Sequence, residues 1–170
     1  MTRVFVTLVK RVSDAVVEIR RADGSISSFP FPNKGPIPHD YVHFVVEDAL
    51  GMKRGFWGLV ADGVDPQAIA GMASAAGHAS AKRARQPDAS IVELLQAERI
   101  VECFEADLWS GPTDSDVFRS VVVAACGASH VSAPVLKDDL IESIRTRIID
   151  FAKRWRAAPL GARFEVVWNG

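Results

Sequence analysis

Two histidines four residues apart and two acids share one short stretch, Pro38-His39-Asp40-Tyr41-Val42-His43-Phe44-Val45-Val46-Glu47. Imidazoles at that spacing on a helix lie on adjacent turns and can hold one transition-metal ion through bonds of about 2 Å. With His39 at angle zero on a helical wheel, His43 falls roughly 40° and Glu47 roughly 80° round. Glu47 also stands two turns, about 12 Å, along the axis from His39, so the three cannot bind one ion from a straight helix. A metal centre built on His39 and His43 therefore needs a ligand from elsewhere in the chain.

His39-Asp40-x-x-His43 resembles the zincin pattern His-Glu-x-x-His, whose acid serves as general base beside a zinc-bound water. Asp40 stands where that pattern has glutamate and is one methylene shorter. An acid in a first helical turn is also stabilised simply by the exposed amides and the helix dipole. Glu98, Glu102 and Glu105 share one stripe of a later helix, and carboxylates on facing helices complete metal centres in helical bundles. The expected site is His39 and His43 on a divalent metal such as zinc, supported by Asp40, Glu47, Glu98 and Glu102, with hydrolysis as the chemistry such a centre allows. His78 and His130 are further nitrogen donors, and the spacing selects neither. Each residue also has a structural use: a helix-start histidine, a dipole partner, a histidine bonded to a carbonyl, and solvated glutamates.

The Pro-His-Asp-x-x-His segment, followed by Leu50-Gly51 and by Gly55-Phe56-Trp57-Gly58, is similar to one found in a group of uncharacterised bacterial proteins. The resemblance covers Asp23 to Gly63. It implies that this stretch acts as a unit, and it brings no known activity.

Other chemistries lack their signatures. There is no Gly-x-Ser-x-Gly elbow, no dinucleotide fingerprint and no P-loop, and Cys103 and Cys126 have the local context of small core residues. Lys82-Arg83-Ala84-Arg85 is a basic cluster at a helix end, where cations suit the dipole. The formal charge of -1 arises from 20 basic and 21 acidic residues spread along the chain, so no field draws in nucleic acid or an anionic membrane. Met1 to Lys10 has too short an apolar run for a secretory signal, and Val121 to Cys126 is about a third of a membrane span. With two cysteines, the reducing cytoplasm is the expected compartment.

The elements that must position the site follow from hydrophobic period. Val4 to Val9 and Val16 to Arg20 read as two antiparallel strands, and Asp23-Gly24 turns into a third, Ile26 to Phe31. Four prolines between Pro30 and Pro38 make a stiff, extended connector that delivers the histidine helix, which Gly51 ends. Val42, Val45, Val46, Ala49 and Leu50 give that helix one apolar face. Gly55 to Val60 reads as a tight buried connection or short helix. Asp65-Pro66 opens an Ala/Gly/Ser-rich helix over Ala68 to Ala81. Ser90 to Glu93 matches a capping box ahead of Ile91 to Trp109, the expected central buried helix. Ser115 to Cys126 and Val135 to Arg156 read as helices, and Phe164 to Trp168 as a last strand beside the amino-terminal meander.

The fold expected is a single α+β domain over residues 1–170, with a small antiparallel sheet covered by four or five helices. Two functional readings stand beside the metal centre. One is a noncatalytic interaction or homodimerisation module that uses the Ala/Gly/Ser-rich helix or a sheet edge. The other is small-molecule binding at the helix start, on His39, Asp40 and Glu47 without metal.

Overall fold

The strand periods at the two ends of the chain meet in one antiparallel sheet. The computed structural model describes residues 3–32, 35–83 and 87–170, and the side-chain surroundings of residues 32 and 77–83 fall outside that description. Strands β1 (Arg3–Lys10), β2 (Asp14–Arg21), β3 (Ile26–Pro32) and β4 (Arg163–Asn169) lie in the order β3-β2-β1-β4. The prolines of β3 are tolerated because it is an edge strand. Pairing of Val6 with Ile19 and with Val166, and of Leu8 with Val17 and with Phe164, puts the buried apolar residues on one face. Phe29 opposite Val17 and Phe31 opposite Ala15 continue that face onto the edge strand.

Six α-helices follow among the described residues: α1 (His39–Leu50), α2 (Phe56–Ala61), α3 (Pro66–Arg83), α4 (Val92–Ser110), α5 (Ser115–Ala128) and α6 (Asp138–Ala157). The α+β class is as expected, and the short α2 takes the helix number above four or five. Helix α6 begins three residues later than its pattern predicts, where Asp138 and Asp139 supply the acids a first turn favours. Its buried Arg145 pairs with Asp107 of α4 at 2.8 Å, and Asp107 also accepts from the Thr113 amide, which pins α6 to α4.

Two local expectations change. The expected capping box does not form: Asp88 caps a 3-10 turn, Ala89–Ile91, by accepting from the Ser90 amide. Glu93 accepts instead from the amide of Arg54, a partner outside its own helix. Helix α1 also has no exposed face over most of its length. Every residue from Asp40 to Glu47 is buried, so the central position expected of α4 belongs to α1. Helix α4 retains exposed Glu102 and Ala106.

A buried carboxylate joins α1 to α2. Glu47 accepts from the amides of Phe56 at 3.0 Å and Trp57 at 2.9 Å, while the Trp57 indole donates to the Asp40 carbonyl at 3.0 Å. This closeness demands glycine twice. A Cβ at Gly55 would overlap the Glu47 carboxylate, and one at Gly58 would overlap the backbone carbonyl of Lys53. Gly71, in α3, has nothing within 4 Å of its Cβ position. Gly58→Ala is therefore expected to cost about 1–3 kcal/mol by overpacking, whereas Gly71→Ala gains about 0.5–1 kcal/mol of helix stability. Urea unfolding of the two variants checks the opposite signs; equal effects would count against this junction.

Candidate metal centre

Helix α1 is held in a fixed pose before any ligand is considered. Pro38 occupies its N-cap with extended backbone, and Gly51 closes it in the left-handed region at φ 63°. The Glu47 clasp fixes its second half against α2. His39 and His43 consequently project toward α4, on the side where Glu98 and Glu105 lie.

The hydrogen bonds of the two imidazoles determine their protons. Glu47 already accepts two backbone amides, and its Oε1 lies 2.9 Å from His43 Nδ1, so that nitrogen donates. Glu105 Oε1 stands 2.7 Å from His39 Nδ1, where a carboxylate oxygen again accepts. With both Nδ1 atoms carrying hydrogen, both Nε2 atoms of neutral rings present lone pairs. They face each other at 3.2 Å, and Glu98 Oε1 is 3.7 Å from His43 Nε2. One ligand atom from each of His39, His43 and Glu98 lies within 4.8 Å of the other two. Three electron-pair donors that close require a cation among them.

Without a metal, that cation is a proton on His43. Complete burial opposes its charging, but the hydrogen bonds and charges of Glu47 and Glu98 outweigh that, and its pKa is pushed up to about 10. Glu98 moves the other way: burial raises its pKa, yet His43 prevails and holds it below the usual carboxylate value. A divalent ion fits the same donors. Ligands about 2.0–2.1 Å from a tetrahedral ion lie about 3.3 Å apart, close to the observed 3.2 Å between the Nε2 atoms. The carboxylates on the far nitrogens match the usual outer partners of metal-bound histidine, which orient the ring.

The other expected residues are placed as follows. Asp40 is not a solvated dipole partner: it is 1% exposed, burial drives its carboxyl pKa well above the usual value, and its Oδ2 has no hydrogen-bond partner. Glu47 is not a solvated charge and stays behind His43 as an orienting group. Glu102 lies outside the cluster, half-exposed and paired with Arg99 at 3.0 Å. His130 is exposed after α5, in the left-handed region at φ 57°. The side chains of His78, Lys82 and Arg83 lie outside the described residues, as do Ala84 and Arg85 entirely.

The cluster opens into a cavity of about 770 Å3. Asp40, His43, Glu98 and Arg99 line it together with Phe29 and Phe31 of β3 and Ile69, Ala70 and Ala73 of α3. Phe31 stacks on His39 with ring centroids 6.3 Å apart, and Phe56 lies 5.9 Å from His43. Sequence reasoning missed this wall. The period-2 pattern of Ile26 to Phe31 carried the signal, since it put Phe29 and Phe31 on one face.

Against known proteins, the chain matches no family model, no curated protein and no solved structure.

Proposed function

We propose that the protein binds a divalent transition metal, zinc by the nature of its donors, through the Nε2 atoms of His39 and His43 and the carboxylate of Glu98. The observation that carries this reading is the pair of Nε2 atoms 3.2 Å apart, each ring having its other nitrogen against a carboxylate. A His2Glu set is that of catalytic rather than closed structural zinc sites, because it leaves a position for a small ligand. Bound there, the metal supplies Lewis acidity toward an oxygen of that ligand, the basis of metal-assisted hydrolysis. The chain's own part is to hold the donors rigidly and to set the cavity beside them. Asp40, between the two histidines in sequence, is buried at the cavity wall, and burial raises its carboxyl pKa above the usual value.

The expectation is that protein purified without a nickel column carries zinc by elemental analysis, or takes it up. At a free zinc concentration of 100 times Kd the gain in stability is about 2.7 kcal/mol, which raises Tm by about 5–10 °C for a chain of this size. No bound metal together with an unchanged melting curve would defeat the reading.

A second expectation concerns the outer carboxylates. Glu105→Gln keeps the shape but weakens the acceptor on His39 Nδ1, and zinc affinity falls about 10–100-fold. Glu102→Gln, one turn away on the same stripe, leaves affinity unchanged. Competition against a chromophoric chelator measures both, and equal losses would show that general charge, not ring orientation, is being read.

A further inference from the structure

We infer that the cavity beside the two histidines binds a small organic oxyanion with an aromatic or comparably bulky apolar body. The oxyanion half of this inference rests on the metal reading above, and the apolar half on the cavity itself. At about 770 Å3 the space is within the range of sites that enclose a drug-sized molecule, roughly 300–1,000 Å3. An ion with its hydration shell has no use for walls made of Phe29, Phe31, Phe56, Ile69, Ala70 and Ala73. Those walls come from two directions. The register of β3 aims Phe29 and Phe31 at the core face, and the small side chains at 70 and 73 of α3 line the same cavity.

The polar groups specify the head of the ligand. Two neutral imidazoles and one carboxylate around a divalent ion leave a net positive centre, and Arg99 adds a second cation to the lining. The guanidinium uses its NH1 on Glu102, while its Nε is buried with no partner. Asp40, 1% exposed, also belongs to the lining of the cavity. A head with two oxygens, such as a carboxylate or hydroxamate, satisfies the positive centre. A purely hydrocarbon ligand leaves the positive centre unmet, and a purely cationic one is repelled by it and by Arg99.

Two hydroxamates with the same metal-binding head and different bodies test the inference on the full-length, zinc-loaded protein. By calorimetry, 2-naphthohydroxamate is expected to bind at least about tenfold more tightly than acetohydroxamate. Ala73→Trp and, separately, Ala70→Trp fill the cavity from α3; each abolishes the naphthyl advantage while zinc and acetohydroxamate affinities hold. Two positions are used so that one misfolded variant does not decide the matter. Equal affinities in the unmodified protein, or an advantage that survives both substitutions, overturn the inference. Failure to bind zinc at all overturns the metal reading and this one together, whereas zinc binding without naphthyl preference overturns this one alone.

Discussion

The Glu47 carboxylate is the interaction on which the rest of the structure depends. A carboxylate with no exposed surface is unfavourable to bury unless donors surround it. Glu47 has three, the amides of Phe56 and Trp57 and the Nδ1–H of His43. Meeting that requirement brings the start of α2 against α1 so tightly that residue 55 has no room for a side chain. It also forces α1 into the centre, because a helix whose acid must be enclosed cannot lie on the surface. The backbone reading of Gly55 to Val60 and the chemistry of His43 are thus consequences of one buried acid.

The same acid sets the character of the histidine pair. By occupying Nδ1 of His43 it turns Nε2 toward His39, and Glu105 does the same for His39 from α4. Either ring alone would be an ordinary histidine with a carboxylate partner. Together they aim two lone pairs at one point, and only a cation makes that arrangement favourable. A proton serves this role for the bare protein. A divalent ion would serve it with one more donor, Glu98, and at nearly the observed nitrogen separation. Proton and metal would therefore compete for one place, as they do wherever histidine is a ligand.

Much of the fold was legible because its determinants are local. Hydrophobic period and the Asp23-Gly24 turn located the four strands among the described residues, and the pattern over Val135 to Arg156 located α6. Within the site, the wheel geometry of α1 was readable: His39 and His43 converge, and Glu47 does not join them. What was hidden is tertiary. Nothing in residues 47 to 57 says that a glutamate will accept amides nine and ten residues ahead, so Glu47 read as solvated. The stripe of Glu98, Glu102 and Glu105 spans too narrow an arc to reveal which member meets which ring. Packing sends Glu98 to His43 and Glu105 to His39, and leaves Glu102 to Arg99. The strand pattern of Ile26 to Phe31 puts Phe29 and Phe31 on one face but does not say that this face borders the histidines.

The distribution of unmet requirements separates this region from the remainder of the core. Among the described residues, three buried side-chain polar atoms have no partner; Asp40 Oδ2 and Arg99 Nε belong to residues lining the cavity, and Trp168 Nε1 lies on β4. The other buried ion pair, Arg145 with Asp107, shows what the fold does where only stability is at stake. There each oxygen of Asp107 meets a donor, and two guanidinium nitrogens of Arg145 meet Asp107. Ala70 and Ala73 of α3 line the cavity with small side chains and leave its space open. Natural sequences depart from consistent packing and pairing mainly where function requires it. Void, orphaned polar atoms and facing lone pairs coincide at one place, and they coincide where α1 presents its histidines.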